Sequence, residues 1–341
     1  MNPGRILVRL PNWLGDGVMA VPALRALRRR FSTAELVLWG RGAFEPLLAS
    51  SGLFDRFLPR AKEDPVGQLR QLGPDIAVIF PHSVRSALEP WRAQVPIRIG
   101  YAREGRGRFL THSLTPHRTG DALIPVPMHS QYLELVGILG ADGHPSEGDL
   151  RVSDEAAAAA QEWLEARGLP PGEPIVGWNP GASFGPSKVY PPDLLGAAID
   201  RAVEGNLGRA LVLCGPGEEE LAREVASHCR QEVVTAADDP PPLDVLKGIL
   251  QQLTALVTTD SGPRHVATAL GVPTVVLMGP TDPRFTAARL ERSIVLRVDV
   301  PCGPCHLKEC PLDHRCLREI APETVVSSVV ELVGAGSATG G

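Results

Sequence analysis

Short apolar runs bounded by Gly and Pro alternate along this chain with segments whose apolar positions recur at helical spacing. In the first half, Arg5–Leu10, Glu35–Gly40, Asp75–Phe80 and Ile97–Gly100 read as buried strands. Val18–Arg30, Phe44–Ser50, Ser83–Ala93 and His129–Leu139 read as helices between and after them. Gly140 to Gly148 is polar and Gly-rich, a linker pattern, and Ser153 is placed to cap a helix over Asp154–Arg167. A second series follows, with strands at Ile175–Asn179, Ala210–Cys214, Val233–Ala236, Ala255–Thr259 and Thr274–Met278. Its helices fall at Pro192–Glu204, Glu218–Cys229, Leu243–Gln252 and Arg264–Leu270, with a last one over Pro322–Val333 before a fraying Gly/Ser/Ala tail. Strands alternating with helices at these lengths predict βαβ units and parallel sheets covered on both faces. The expected fold is α/β, two Rossmann-like doubly wound domains. Ligands in such sheets bind at the carboxyl ends of strands, which places the expected site in a cleft between the domains.

Length and charge narrow the field. At 341 residues the chain can bury two cores. The balance of 34 basic and 39 acidic side chains gives a net charge of −5, so no global basic excess speaks for nucleic acid, and an anionic partner must be met by a local patch. The opening Met1-Asn2-Pro3-Gly4-Arg5 runs straight into a strand pattern without a signal peptide, and no apolar run is long enough to span a bilayer. A cytoplasmic location with at most peripheral membrane contact is expected.

Two strand-to-helix junctions carry candidate chemistry. Gly15-Asp16-Gly17-Val18-Met19-Ala20 matches the loose dinucleotide pattern G-x-G-x-x-A. Four residues separate the strand from Gly15, Asp16 would stand where a pyrophosphate must sit, and Gly40-Arg41 occupies the end of the next strand where an acid is required. A nicotinamide-dependent oxidoreductase is therefore the weakest alternative, and no Walker-type Gly-Lys-Ser/Thr loop is present. Asp16, Gly-flanked and facing a cleft, is suited to act as a general base on an attacking hydroxyl, or else to cap the helix at Val18. In the second half, Asp260-Ser261-Gly262-Pro263-Arg264-His265 closes a strand and opens a helix, a junction that aims backbone N–H groups and the helix dipole at an anion. The loop from Asn179 to Lys188 is rich in small residues; Ser183 and Ser187 offer hydroxyls and Lys188 a compact charge for a diphosphate. His265 can donate to a leaving phosphate oxygen, Asp260 can hold a sugar hydroxyl or orient Lys188, and Glu218 can accept from ribose hydroxyls or favour its helix N-terminus. Gly279-Pro280-Thr281-Asp282-Pro283 can line the same pocket.

These motifs together resemble the ADP-heptose:lipopolysaccharide heptosyltransferases, the ninth family of glycosyltransferases, and most closely its heptosyltransferase II branch. The residues that carry the resemblance are Gly15-Asp16 with Pro22-Ala23-Leu24, Asn179-Pro180-Gly181-Ala182 through Lys188 and Pro191, Asp260-Ser261-Gly262-Pro263 with His265, and Met278 to Pro283. The likeness runs from Arg5 to about Val333. It implies the GT-B architecture: an acceptor domain over 1–152, a nucleotide-sugar domain over 153–320, and a helix over 321–335 crossing back to the first domain. It also implies an inverting transfer that needs no metal cofactor, with Asp16 as base. Lys188, Ser261, Gly262 and His265 would hold the diphosphate, and Asp260 would contact the heptose. The implied donor is ADP-heptose and the implied acceptor the heptose/Kdo inner core of lipopolysaccharide, met at the inner face of the cytoplasmic membrane. The basic run Arg98, Arg103, Arg106 and Arg108, or the group Arg56, Arg60 and Lys62, can meet that anionic glycolipid, or be solvated surface charge. A family member with another nucleotide sugar or acceptor, or a non-catalytic nucleotide-sugar-binding protein, is the alternative.

Four of the six cysteines, Cys302, Cys305, Cys310 and Cys316, fall within fifteen residues, with His306 and His314 between them. In a cytosolic chain this spacing reads as metal before disulfide: a structural zinc, or reduced thiols packed in a loop. Cys214 and Cys229 read as apolar packing residues.

Overall fold

The computed structural model describes residues 3–120, 122–288 and 290–337. The chain forms two compact units, Met1–Arg151 with Arg284–Ala288, and Val152–Pro283 with Arg289–Gly341.

The first unit is built on strands β1 (Arg5–Arg9), β2 (Glu35–Gly40), β3 (Arg56–Pro59), β4 (Ile76–Ile79), β5 (Ile97–Tyr101) and β6 (His112–Leu114), all parallel, in the order β3-β2-β1-β4-β5-β6. A small antiparallel hairpin, β7 (Arg118–Thr119) and β8 (Ala122–Leu123), follows. The helices are α1 (Leu14–Met19), α2 (Val21–Arg30), α3 (Phe44–Leu48), α4 (Pro65–Leu72), α5 (Val84–Arg92) and α6 (Met128–Gly137). The middle of each central strand is apolar, as in a sheet with helices over both faces. On one face Leu7, Val37, Trp39, Ala77 and Ile79 pack with Leu69 and Leu72 of α4 and Ala87 of α5. Each such large apolar side chain contributes roughly 1.5–3 kcal/mol by leaving water.

The second unit repeats the plan. Strands β9 (Ile175–Asn179), β10 (Arg209–Val212), β11 (Val233–Thr235), β12 (Ala255–Thr259), β13 (Thr274–Leu277) and β14 (Ser293–Leu296) lie parallel in the order β11-β10-β9-β12-β13-β14. Its helices are α7 (Asp154–Glu165), α8 (Pro192–Glu204), α9 (Glu219–Ser227), α10 (Leu243–Gln252), α11 (Gly262–Ala269), α12 (Arg315–Arg318) and α13 (Pro322–Ser337). Ser153 caps α7 by accepting from the Ala156 N–H at 3.2 Å. In both sheets the order reverses beside the first strand, between β1 and β4 and between β9 and β12. Chain connections diverge at this switch point and leave a crevice at the carboxyl ends.

Two expectations are corrected. The helix predicted over Val18–Arg30 is two helices, α1 and α2, joined at Ala20; Pro22 at the second position of α2 has no N–H to continue a ladder from α1. Asp16 consequently lies in the first turn of a short helix rather than in a loop. The last helix packs on α8, β12, β13 and β14 of its own unit and runs on to Ser337. The tail from 338 onward lies outside the described residues. Among the described residues no helix is long and apolar enough to cross a membrane.

Candidate functional site

The second unit gathers charge at its switch point. Asp260 directly follows β12 and is buried with its side chain held on both oxygens. Lys188, at the end of the loop that follows β9, donates to Asp260 Oδ2 at 2.6 Å and to the Asp260 carbonyl at 3.0 Å. Arg264, in the first turn of α11, donates to Oδ1 at 2.5 Å, and the Thr281 hydroxyl donates to Oδ2 at 2.9 Å. Burial by itself would push the Asp260 carboxyl up. The charges of Arg264, Lys188 and His265 outweigh it and hold the group far below the usual carboxylate range. Lys188 also lies 5.1 Å from the Phe184 ring centre, which shields the ion pair. Two cations and one anion, all buried, leave this knot net positive where the sheet opens.

The surrounding backbone is tied down from within. Asn179, the last residue of β9, donates to the hydroxyls of Thr258 and Ser261, at 3.1 and 3.2 Å. Thr259 donates to the Gly181 carbonyl at 2.6 Å. Ser261 occupies the cap position of α11 in extended geometry, yet its hydroxyl turns to Asn179, Thr258 and the Thr259 carbonyl and leaves the helix start without a side-chain cap. A helix start in that state suits an incoming anion. His265 is buried in the first turn of α11. Ser183 is exposed at the loop tip. Ser187 is turned away from the crevice, its hydroxyl donating to the Leu307 carbonyl at 2.6 Å. Glu218 closes the turn after β10 by accepting from the Gly215 N–H at 3.1 Å, and burial raises its carboxyl. Its carboxylate stands 2.2 Å from where a Cβ on Gly181 would go, so the two loops meet closely there.

In the first unit Asp16 is half-buried in α1 and its charge reaches Tyr132 of α6, whose hydroxyl is pushed up by burial and then by Asp16. Gly17 lies under the Phe44 ring, where a Cβ would come within 2.1 Å of a ring carbon. Of the arginines proposed for the acceptor, two have structural work. Arg98 binds the carbonyls of Phe109 at 2.7 Å and of Val95. Arg106 is fully buried and donates to the carbonyls of Tyr101, Pro81 and Ser83 and to the Ser86 hydroxyl. Arg103 is half-buried and meets His82 Nδ1 at 3.1 Å. Burial, then Arg103 and Arg106, lower His82 to about 4, so it is neutral at physiological pH.

A group that sequence reasoning missed lies beside them. Arg9, the last residue of β1, is buried against the Trp39 ring, and its guanidinium is lowered to about 10 by burial, Arg60 and Arg85. Glu89 of α5 is clasped by Arg60 at 2.5 Å and Arg85 at 2.8 Å. The sequence signal was available: an arginine closing an otherwise apolar strand is costly unless its charge is used. Arg264, four residues after Asp260 at the start of the following helix, was legible in the same way.

The four clustered cysteines are free thiols that line one pocket. The Cys316 thiol is pushed up by burial and by its neighbours Cys310, Cys302 and Cys305. Among the described residues no three His, Cys, Asp or Glu side chains lie close enough together to hold a metal ion.

Comparison with known proteins now adds to this geometry. A family model described as glycosyltransferase family 9 (heptosyltransferase) matches residues 66–315. Lipopolysaccharide heptosyltransferase 2 of Escherichia coli is 29% identical over 358 residues, covering 96% of this chain and 98% of that one. Lipooligosaccharide heptosyltransferase 2 of Campylobacter jejuni is 24% identical over 339 residues, covering 96% and 99%. The solved structure of E. coli ADP-heptose lps heptosyltransferase II superposes with a TM-score of 0.80 at 25% identity, covering 98% of this chain and 99% of that one. The two Rossmann-like units are those of the GT-B heptosyltransferases.

Proposed function

The chain belongs to glycosyltransferase family 9, the heptosyltransferases, and from that premise we propose that it transfers a heptose from ADP-heptose to the heptose/Kdo inner core of lipopolysaccharide with inversion at the anomeric carbon. The acceptor hydroxyl oxygen forms the new bond to that carbon, and its proton passes to the Asp16 carboxylate. The bond from the anomeric carbon to the β-phosphate oxygen breaks, and ADP leaves with the electron pair. The leaving charge is met by the Lys188–Arg264 pair, by the uncapped start of α11 at Ser261 and Gly262, and by His265. These groups are in place before reaction and need no reorganisation. Their charge supports a transfer that calls on no metal cofactor. Asp260 holds Lys188 and Arg264 in register rather than touching phosphate itself.

The observation that carries this reading is the buried Lys188–Asp260–Arg264 knot beside an uncapped helix start, at the switch point of the second sheet. The donor identity draws support from the E. coli relative, whose name is that of an ADP-heptose enzyme. On the acceptor side, Arg9, Arg60, Arg85 and Arg103 outnumber Glu89 at the carboxyl ends of the first sheet and suit a carboxylated and phosphorylated glycolipid. The work is assigned to the cytoplasm, with peripheral contact at the inner face of the membrane where such an acceptor is exposed.

Thermal stabilisation by ADP, UDP, GDP, CMP and NADH, followed by transfer from ADP-heptose, tests the reading, because a nucleotide that binds the native state at 100 times its Kd adds about 2.7 kcal/mol. Selective response to ADP and ADP release dependent on the acceptor are expected. Preference for UDP or GDP would move the donor, and response to NADH alone would overturn the proposal.

A further inference from the structure

The segment that carries the four cysteines is sewn to the donor loops. Ser187 receives it twice, its N–H donating to the Lys308 carbonyl at 3.0 Å and its hydroxyl to the Leu307 carbonyl at 2.6 Å. Gly185 is pressed under the same Lys308 carbonyl, 2.6 Å from where a Cβ would sit. On the other side the His306 N–H donates to the Pro280 carbonyl at 2.9 Å, and Gly279 lies against Cys316, whose sulfur would be 3.1 Å from an added Cβ. The cysteine segment thus braces both the loop that ends in Lys188 and the loop that supplies Thr281. Both of those residues bind Asp260.

This segment has little apolar content to hold it. Leu307 and Leu312 are exposed, as are Cys302 and Cys305. The side chains that do converge are thiols: Cys302, Cys305, Cys310 and Cys316 line one pocket of about 20 Å³ with His314 and Ser187. That volume holds a single water-sized body. His314 Nε2 is buried there with no hydrogen-bond partner.

We infer that Cys302, Cys305, Cys310 and Cys316 form a tetrathiolate site for one divalent transition-metal ion, zinc or iron, which clamps the cysteine segment onto the donor loops. The spacing C-x2-C-x4-C-x5-C opens with a knuckle pair that presents two sulfurs to one side of a turn. An ion draws the four sulfurs to about 2.3 Å, releases the thiol protons to solvent and adds its binding energy to the folded state. His314 Nε2 is placed to support the ligand shell from outside, as second-layer groups do. Four sulfurs select a soft ion over magnesium or calcium. The role is structural, since the site lies behind Ser187 and not at the Asp260 crevice.

The full chain, purified under reducing conditions from cells grown with added zinc and iron, is assayed for metal by mass spectrometry. About one ion per chain is expected, with C302S/C305S together reducing it to a trace. Both positions are exposed, so this variant still folds as judged by circular dichroism. C229S, outside the cluster, keeps the ion. Titration with a thiol reagent is expected to find the four clustered cysteines slow until a chelator is added, with buried Cys214 slow throughout. Chelation loosens the Ser187 and Pro280 contacts and is expected to weaken ADP binding by about tenfold, the equivalent of one or two hydrogen bonds. A wild-type chain that stays metal-free after incubation with zinc chloride or ferrous salt overturns the site. A bound ion whose removal leaves ADP affinity unchanged overturns the clamp. Metal content is read without any nucleotide, so failure of the donor assignment would show separately.

Discussion

Each unit holds a buried carboxylate clasped between two cations, and the two knots differ in how far their cations reach water. Glu89 lies between Arg60 and Arg85, and the Arg85 side chain is 70% exposed. Asp260 lies between Lys188 and Arg264, whose side chains are 10% and 1% exposed. An exposed cation can be solvated when its partner is lost. A buried one cannot, so the Asp260 knot is the more costly to break and the more rigid in use. The difference matches the tasks assigned to the two sites. A donor site must hold its charges fixed while a diphosphate leaves, whereas an acceptor site can meet a flexible glycolipid with mobile arginines.

The largest expected effect comes from Asp260→Ala. It strands two buried cations and should cost about 3–5 kcal/mol. Because two domains need not unfold together, hydrogen exchange in β12 and β13 is the proper measurement, and ADP stabilisation should vanish with it. Glu89→Ala is expected to cost less, about 1–3 kcal/mol, read from exchange in β4 and α5. Equal losses in the two variants would show that exposure does not separate the knots.

Acid sharpens the same contrast. The folded Asp260 carboxyl lies far below the usual range, so the unfolded chain takes up its proton first as pH falls. The stability it contributes is therefore complete above the ordinary aspartate range near pH 4 and is lost as pH drops below it. Glu89 is lowered too, with burial opposing and Arg60 and Arg85 prevailing. Asp260→Asn should flatten the acid dependence of the second unit and leave that of the first intact, which exchange at pH 3 to 5 checks. Among the arginines, Arg98→Ala should lower stability by about 1–3 kcal/mol with acceptor KM unchanged. Arg103→Ala should raise acceptor KM with stability shifted by no more than about 0.5 kcal/mol.

Much of this was legible in the sequence where local chemistry decides. Ile175–Asn179, Pro192–Glu204, Leu243–Gln252 and Ala255–Thr259 form over those residues because continuous apolar strands and proline-started helices leave few alternatives. The edge strands β3 and β14 escaped, since their short sequences, Arg-Phe-Leu-Pro and Ser-Ile-Val-Leu, owe their state to a neighbour across the sheet. Asp260 and Lys188 stood out by position, but their pairing across 72 residues is a property of the switch point and not of either loop. A run of charge does not say which side chains turn inward, as fully buried Arg106 and partly buried Arg98 do. Here the carbonyls after β4 and beside β5 needed donors, and two arginines supplied them.

The central claim is that Asp16 removes the acceptor proton while the second unit independently holds ADP. Single-turnover release of ADP from ADP-heptose, with inner-core acceptor present, should be compared in the native chain and in Asp16→Asn, with ADP affinity measured on the same preparations. The account predicts unchanged ADP binding and a transfer rate reduced by about 10²–10⁴-fold. Retention of the native rate in Asp16→Asn would contradict it.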